Sequence, residues 1–399
     1  MVKKPRQQIL LPIKKDQEEI NTTKKHNENY VKHLLNFPDE IIVLISKTLS
    51  LKDIMNCRLV CKTFSETYND FEMWKGKFFH LNPNKSIEKP LLTLTIKPSG
   101  RLCPSAASYN NSIYIYGGDN GYKDQVMNLI GEVKSDVWQY NIDTNLWNNL
   151  EIVGNAPKLT EHSAVVWRDN MILFGGSTGS VPQYSNSVYS FNFNTKIITH
   201  HTTTGNGPTA RSAHSAICYE DSMYIFGGWD GYESNNDIYK LDLKTNVWSQ
   251  IKSENAPSKR RAHSSVIYKN NIYIFGGFDT SKKPETFNIL YKFSLENETW
   301  SEVECFGDIP RGRSRASMVE FNDKLFLIGG WDRIDYFQEL HEFNIATSQW
   351  KKLDANIEEM SIGLGQNSVS VLENRMVIFG GYIPKKKVST NELFSIRLA

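Results

Sequence analysis

Five cysteines in 399 residues, at positions 57, 61, 103, 218 and 305, are odd in number and follow no framework spacing. Reduced thiols in an intracellular compartment are therefore the expectation. No stretch approaches the roughly 18 consecutive apolar residues of a membrane span, and the N-terminal residues lack the continuous apolar core of a secretory signal. A membrane partner is not expected. The sequence also has no phosphate-cradling glycine loop, no Gly-x-Ser-x-Gly elbow and no HExxH pair, so neither catalysis nor a cofactor is expected. One-sided charge is missing too, with 46 Lys+Arg against 44 Asp+Glu. Residues 1–33 hold eight of those bases against four acids, a local excess of +4, which leaves −2 of the total +2 for everything that follows. Nothing in that balance points to nucleic acid.

What the chain does contain is repetition. Glycine pairs stand at Gly117-Gly118, Gly175-Gly176, Gly227-Gly228, Gly276-Gly277, Gly329-Gly330 and Gly380-Gly381, at intervals of 58, 52, 49, 53 and 51 residues. Each pair ends a short β-branched and aromatic run such as Met223-Tyr224-Ile225-Phe226, which reads as a buried strand. Eight residues before each pair stands Tyr109, Trp167, Tyr219, Tyr268, Phe321 or Leu372, closing a preceding strand and opening a tight polar turn. After each pair come a variable loop, a third strand, a turn and in four units a tryptophan: Trp147, Trp248, Trp300 and Trp350. Four strands repeated six times predict a β-propeller. The sixth unit stops after its third strand, and Leu92–Lys97 is the expected fourth strand, closing the ring between the chain's two ends and removing open sheet edges.

Double glycines, spaced Tyr and Trp, and a period near 50 residues resemble the Kelch repeat. Ahead of the repeats the pattern becomes helical. Pro38 suits a first helical turn, Asp39 and Glu40 follow it, and Ile41, Leu44, Ile45 and Leu49 share one face. Ser50 and Asp53 form a capping box for a second helix carrying Ile54, Cys57, Cys61 and Phe64. From Phe37-Pro38-Asp39-Glu40-Ile41-Ile42 through Leu51 and Val60 to Met73-Trp74, this stretch resembles the F-box. Phe37 stands where that family usually has leucine, and Phe64 where it has tryptophan. The fold class expected is thus a small all-α F-box followed by an all-β six-bladed Kelch propeller, α+β overall. Its parts are a disordered basic tail at 1–33, helices at 34–80, a linker at 81–90 and the propeller at 91–399.

The helices carry more apolar residues than one small core needs, which suggests a partner surface. The F-box resemblance implies that the partner is Skp1 and, through it, a cullin. Phe37, Pro38, Ile41, Ile42, Ile45, Leu49, Leu51, Ile54 and Val60 would form the contact. The alternative is that these helices cap the propeller.

On the repeats, Arg101, Arg211, Arg260 and Arg313 stand sixteen residues before the first glycine of their pairs, where the other two units have Leu159 and Leu364. Trp229, Phe278, Trp331 and Tyr382 directly follow four of the pairs. Strand alternation puts both sets on one mouth of the ring. Guanidinium and aromatic groups together suit an acidic or phosphorylated protein segment, which makes these eight residues the expected substrate contacts. A recurring arginine can equally pair with loop aspartates or carbonyl groups. His162, His214 and His263 share one repeat position, each followed by Ser, and read as hydrogen-bonded structural residues; no metal site is expected. The reading reached is a non-catalytic ubiquitin-ligase adaptor, cytoplasmic, with Lys3-Lys4-Pro5-Arg6 as a candidate nuclear signal. Its alternative is a Kelch scaffold or cytoskeletal-binding protein without a ligase role.

Overall fold

The computed structural model describes residues 87–88 and 97–398, apart from 122–130, 181–182, 284, 355–364, 384–385 and 387. The chain divides into two compact units, Met1–Phe79 and His80–Ala399. The expected tail, the F-box helices and all nine expected Skp1 contacts lie outside the described residues.

The second unit is a six-bladed β-propeller. Blade three shows the plan: Ser215–Tyr219, Ser222–Trp229, Ser234–Asp242 and Val247–Ile251 pair antiparallel in sequence order, from the channel outward. Six apolar clusters fill the six interfaces between neighbouring blades. The fourth-strand tryptophans do much of this packing. Trp147, Trp248, Trp300 and Trp350 each meet the aromatic ring directly before the glycine pair of the preceding blade: Phe379, Phe174, Phe226 and Phe275. Blade two has no such tryptophan. There Ile198 and Phe193 fill the gap, with Tyr109 of blade one stacked on Phe193 at 4.3 Å.

The ring closes as the repeat count demands, but through other residues than expected. The outer strand of blade six is Ile87–Glu88, paired antiparallel with Leu393–Arg397 in the register Ile87 to Ile396 and Glu88 to Ser395. The position expected for Leu92–Lys97 is therefore already taken, by residues assigned to the linker. Of that segment, 92–96 lie outside the described residues, and Lys97 itself is in no strand.

The glycine pairs have a steric cause. Gly227 and Gly228 both have positive φ, 61° and 100°. A Cβ on the first would stand 2.7 Å from the carbonyl oxygen of Arg260 in the next blade, and one on the second 2.7 Å from the Cβ of His214. The turn out of the second strand thus passes where no side chain fits, and the amide of Gly228 donates to that same Arg260 carbonyl at 3.0 Å.

Candidate functional site

Four arginines expected at the mouth are instead inside the wall. Arg101, Arg211, Arg260 and Arg313 are 0–1% exposed. Each donates from Nη1 to the carbonyl of the first glycine of its own blade, Gly117, Gly227, Gly276 or Gly329, at 2.9–3.0 Å. Three also pair with an acid at one shared repeat position, just before the third strand in blades one and five and within it in blade three: Arg101 with Asp136 at 2.8 Å, Arg211 with Asp237 at 2.6 Å and Arg313 with Glu339 at 3.0 Å. In blade four Ile289 holds the acid's place, and Arg260 lies instead over the rings of Phe287 and Tyr291. Blade two has neither partner, with Leu159 and Ser187 at the two positions, and Leu159 is buried. Burial lowers the Arg260 pKa to about 10, and it remains cationic at neutral pH. The internal pairing that the sequence left open is the arrangement found. These four guanidinium groups brace the blades and present no free charge to a ligand, so the ground for an acidic ligand in them falls away. Phe278 is corrected likewise: it is 3% exposed, beneath two other arginines.

The histidines also belong to the frame. Nε2 of His162, His214 and His263 shares a hydrogen bond with Ser105, Ser163 and Ser215 of the preceding blade, at 2.7–2.8 Å. Among the described residues, no group of three or more His, Cys, Asp or Glu is placed to hold a metal ion.

The mouth is built one and two positions further along the same register. Fourteen residues before each first glycine stand Cys103, Glu161, Ala213, Ala262, Arg315 and Gln366. All six have positive φ, from 47° to 65°, a conformation costly for side-chain-bearing residues. Each donates its backbone N–H to the carbonyl of its counterpart in the preceding blade, at 2.7–3.4 Å, and Cys103 closes the circle onto Gln366. These bonds offset the strain and encircle a central cavity of about 170 Å³. Across it Arg315 Nη2 meets Glu161 Oε1 at 2.9 Å. Burial alone would lower the Arg315 pKa, but the charge of Glu161 outweighs it and the pKa is raised.

Above the cavity runs a belt of rings and guanidinium groups. Arg261, one residue after the buried Arg260, lies 3.8 Å from the centre of the Trp229 ring and 4.5 Å from that of Phe278. Arg333 lies 5.7 Å from both Phe278 and Trp331. Tyr336 stacks on Trp331 at 5.8 Å and reaches Tyr382 at 5.5 Å. Trp229, Trp331 and Tyr382 are thus gathered on one belt spanning blades three to six, half-buried and facing the mouth. Arg261, Arg315 and Tyr336 were not among the expected contacts. For the two arginines the signal was the offset itself, since they stand one and two positions beyond the buried register; Tyr336, in the loop after the glycine pair, had no such signal.

Residues 104–330 and 262–399 match the model of the KLHDC2/KLHL20/DRC7 Kelch-repeats domain, and residues 34–75 match that of the F-box domain. The chain belongs to the Kelch-repeat family and carries an F-box ahead of its propeller. Both are interaction modules rather than catalytic ones. Relatives include rat Kelch domain-containing protein 10, 29% identical over 276 residues, which cover 65% of this chain and 66% of that protein. Bovine Kelch domain-containing protein 3 is 27% identical over 322 residues, 74% of this chain and 81% of that protein. The Drosophila leucine-zipper-like transcriptional regulator 1 homolog is 27% identical over 294 residues, 70% of this chain but 29% of that protein. The chain spans about two thirds of the length of the Kelch domain-containing 10 proteins it matches, from 61% in the human protein to 68% in the two Xenopus ones.

Proposed function

We propose that the chain is the substrate-recognition adaptor of a Skp1-cullin-F-box ubiquitin ligase. The observation that carries this is the joining, in one chain, of an F-box match at 34–75 to a six-bladed Kelch propeller with an open aromatic mouth. In this reading Phe37, Pro38, Ile41, Ile42, Ile45, Leu49, Leu51, Ile54 and Val60 bury their apolar groups against Skp1, while the belt of Trp229, Trp331 and Tyr382 holds the protein to be ubiquitylated. The protein transfers no group itself; it raises the local concentration of a target beside the transferring machinery. Purified full chain, Skp1 and a cullin mixed on a sizing column test the bridge. Co-migration of the chain with the cullin only when Skp1 is present is the expected result. Migration apart from the cullin with Skp1 present would favour a scaffold without a ligase role.

A further inference from the structure

Two apolar side chains on the loops that follow Trp229 and Trp331 are almost wholly exposed. Tyr232 is 92% and Ile334 83% exposed, the two most exposed large apolar residues among those described. They occupy the same position, three residues beyond Trp229 in blade three and beyond Trp331 in blade five. Both loops are held by the aspartate that follows the tryptophan. Asp230 Oδ1 accepts from the amides of Tyr232 and Glu233, each at 2.9 Å, and Asp332 Oδ1 from those of Ile334 and Asp335, at 3.0 and 2.7 Å. An Asx turn of this kind fixes the backbone beneath the exposed side chain. Presenting an apolar group on a fixed support lowers the ordering cost of binding.

The charges around them are already matched. Arg315 pairs with Glu161, Arg333 with Glu285 at 2.6 Å, Arg311 with Asp332 and Lys259 with Glu233. Burial and the neighbouring Arg315 oppose the charge of Arg261, Glu161 and Asp279 favour it, and its guanidinium group is covered by the rings of Trp229 and Phe278. An acidic ligand would have to displace these carboxylates, and a like charge brought near them is repelled. Apolar area is what the surface has left to offer.

We propose that the mouth takes an uncharged stretch of its target, anchored by aliphatic or aromatic side chains against Tyr232 and Ile334. This deepens the reading of the propeller as the target-binding half and rests on it. The test is selection of a phage-displayed random dodecapeptide library on the immobilised full chain. Enriched peptides are expected to carry apolar anchors and no net negative charge. Tyr232→Ser with Ile334→Ser is expected to lower their capture about tenfold, the loss of about 1.4 kcal/mol of apolar contact, while Val247→Ser, which trims an exposed apolar residue on the outer strand of blade three, leaves it unchanged. Skp1 capture by the double variant stays at the wild-type level, which separates failure of this inference from failure of the adaptor reading. Enrichment of acidic peptides, no enrichment at all, or enriched peptides indifferent to the double variant would each overturn it. So would self-association of the full chain that the double variant abolishes, since a second copy would then be the occupant.

Discussion

Between pH 7 and pH 5 the propeller is expected to lose about 4 kcal/mol of stability through two histidines alone. Burial holds the imidazoles of His162 and His263 at pKa values of about 3. In the unfolded chain both return to about 6.5. Above that value neither state binds a proton and the histidines do not oppose folding. Below it the unfolded chain gains protons that the folded one refuses, so stability falls by up to about 1.4 kcal/mol per histidine per pH unit until the folded value is reached. His214 is shifted in the same direction, first by burial and then by the charge of Arg211. Carboxylates do not account for this window. In Asp136 burial alone would raise the pKa, but the hydrogen bond and charge of Arg101 hold it below the ordinary value. Glu339 is held low in the same way by Lys352 and Arg313, against its burial. Their contribution is present above the ordinary carboxylate range and disappears only as the pH falls through still lower values. Urea denaturation at pH 7, 6 and 5 measures the slope. His162→Gln with His263→Gln keeps an amide able to bond Ser105 and Ser215 and removes the titration. The double variant should be less stable at pH 7, because it loses the edge contacts of His162 on Tyr116 and His263 on Phe226, yet much flatter with pH. A double variant with the full wild-type slope would refute the assignment.

Arg211→Ala is expected to cost about 3 kcal/mol of propeller stability, because it leaves the Asp237 carboxylate and the Gly227 carbonyl without their partner. Capture of a target, counted per folded molecule, should not change. Arg260→Met is the informative companion. Arg260 has no carboxylate to orphan, so the loss should be smaller although the residue is equally buried. Thermal melts of the two variants beside the wild type check the order. Unchanged melting of Arg211→Ala with lost target capture would return the guanidinium group to the mouth.

The repeat was legible because its constraints are local. A glycine pair is needed wherever two backbones pass too close for a Cβ, and a fourth-strand tryptophan wherever two blades leave a gap of that size. Both therefore recur at fixed spacing. The direction of a side chain at a strand's entrance is not local. Arg211 and Trp229 lie at the same end of a blade, yet Arg211 is buried in the wall and Trp229 is half-buried beneath Arg261, and in the turn between Arg211 and the first strand stands the left-handed residue Ala213. Spacing alone carries no sign of that turn, whose residues are not glycine in any of the six blades. The closing strand was misplaced for a related reason. Leu92–Lys97 has the stronger strand pattern in the sequence, yet it is Ile87–Glu88 that pairs with Leu393–Arg397.

In the proposed adaptor reading the F-box segment recruits a ligase through Skp1 while the propeller holds the target. Co-purification of the full chain with Skp1, beside a variant carrying Pro38→Ala, Ile41→Ala and Leu51→Ala, tests it most directly. Capture by the wild type and loss of capture by the variant are expected, with the melting transition of the propeller unchanged. A folded wild-type chain that leaves Skp1 in the unbound fraction would contradict it.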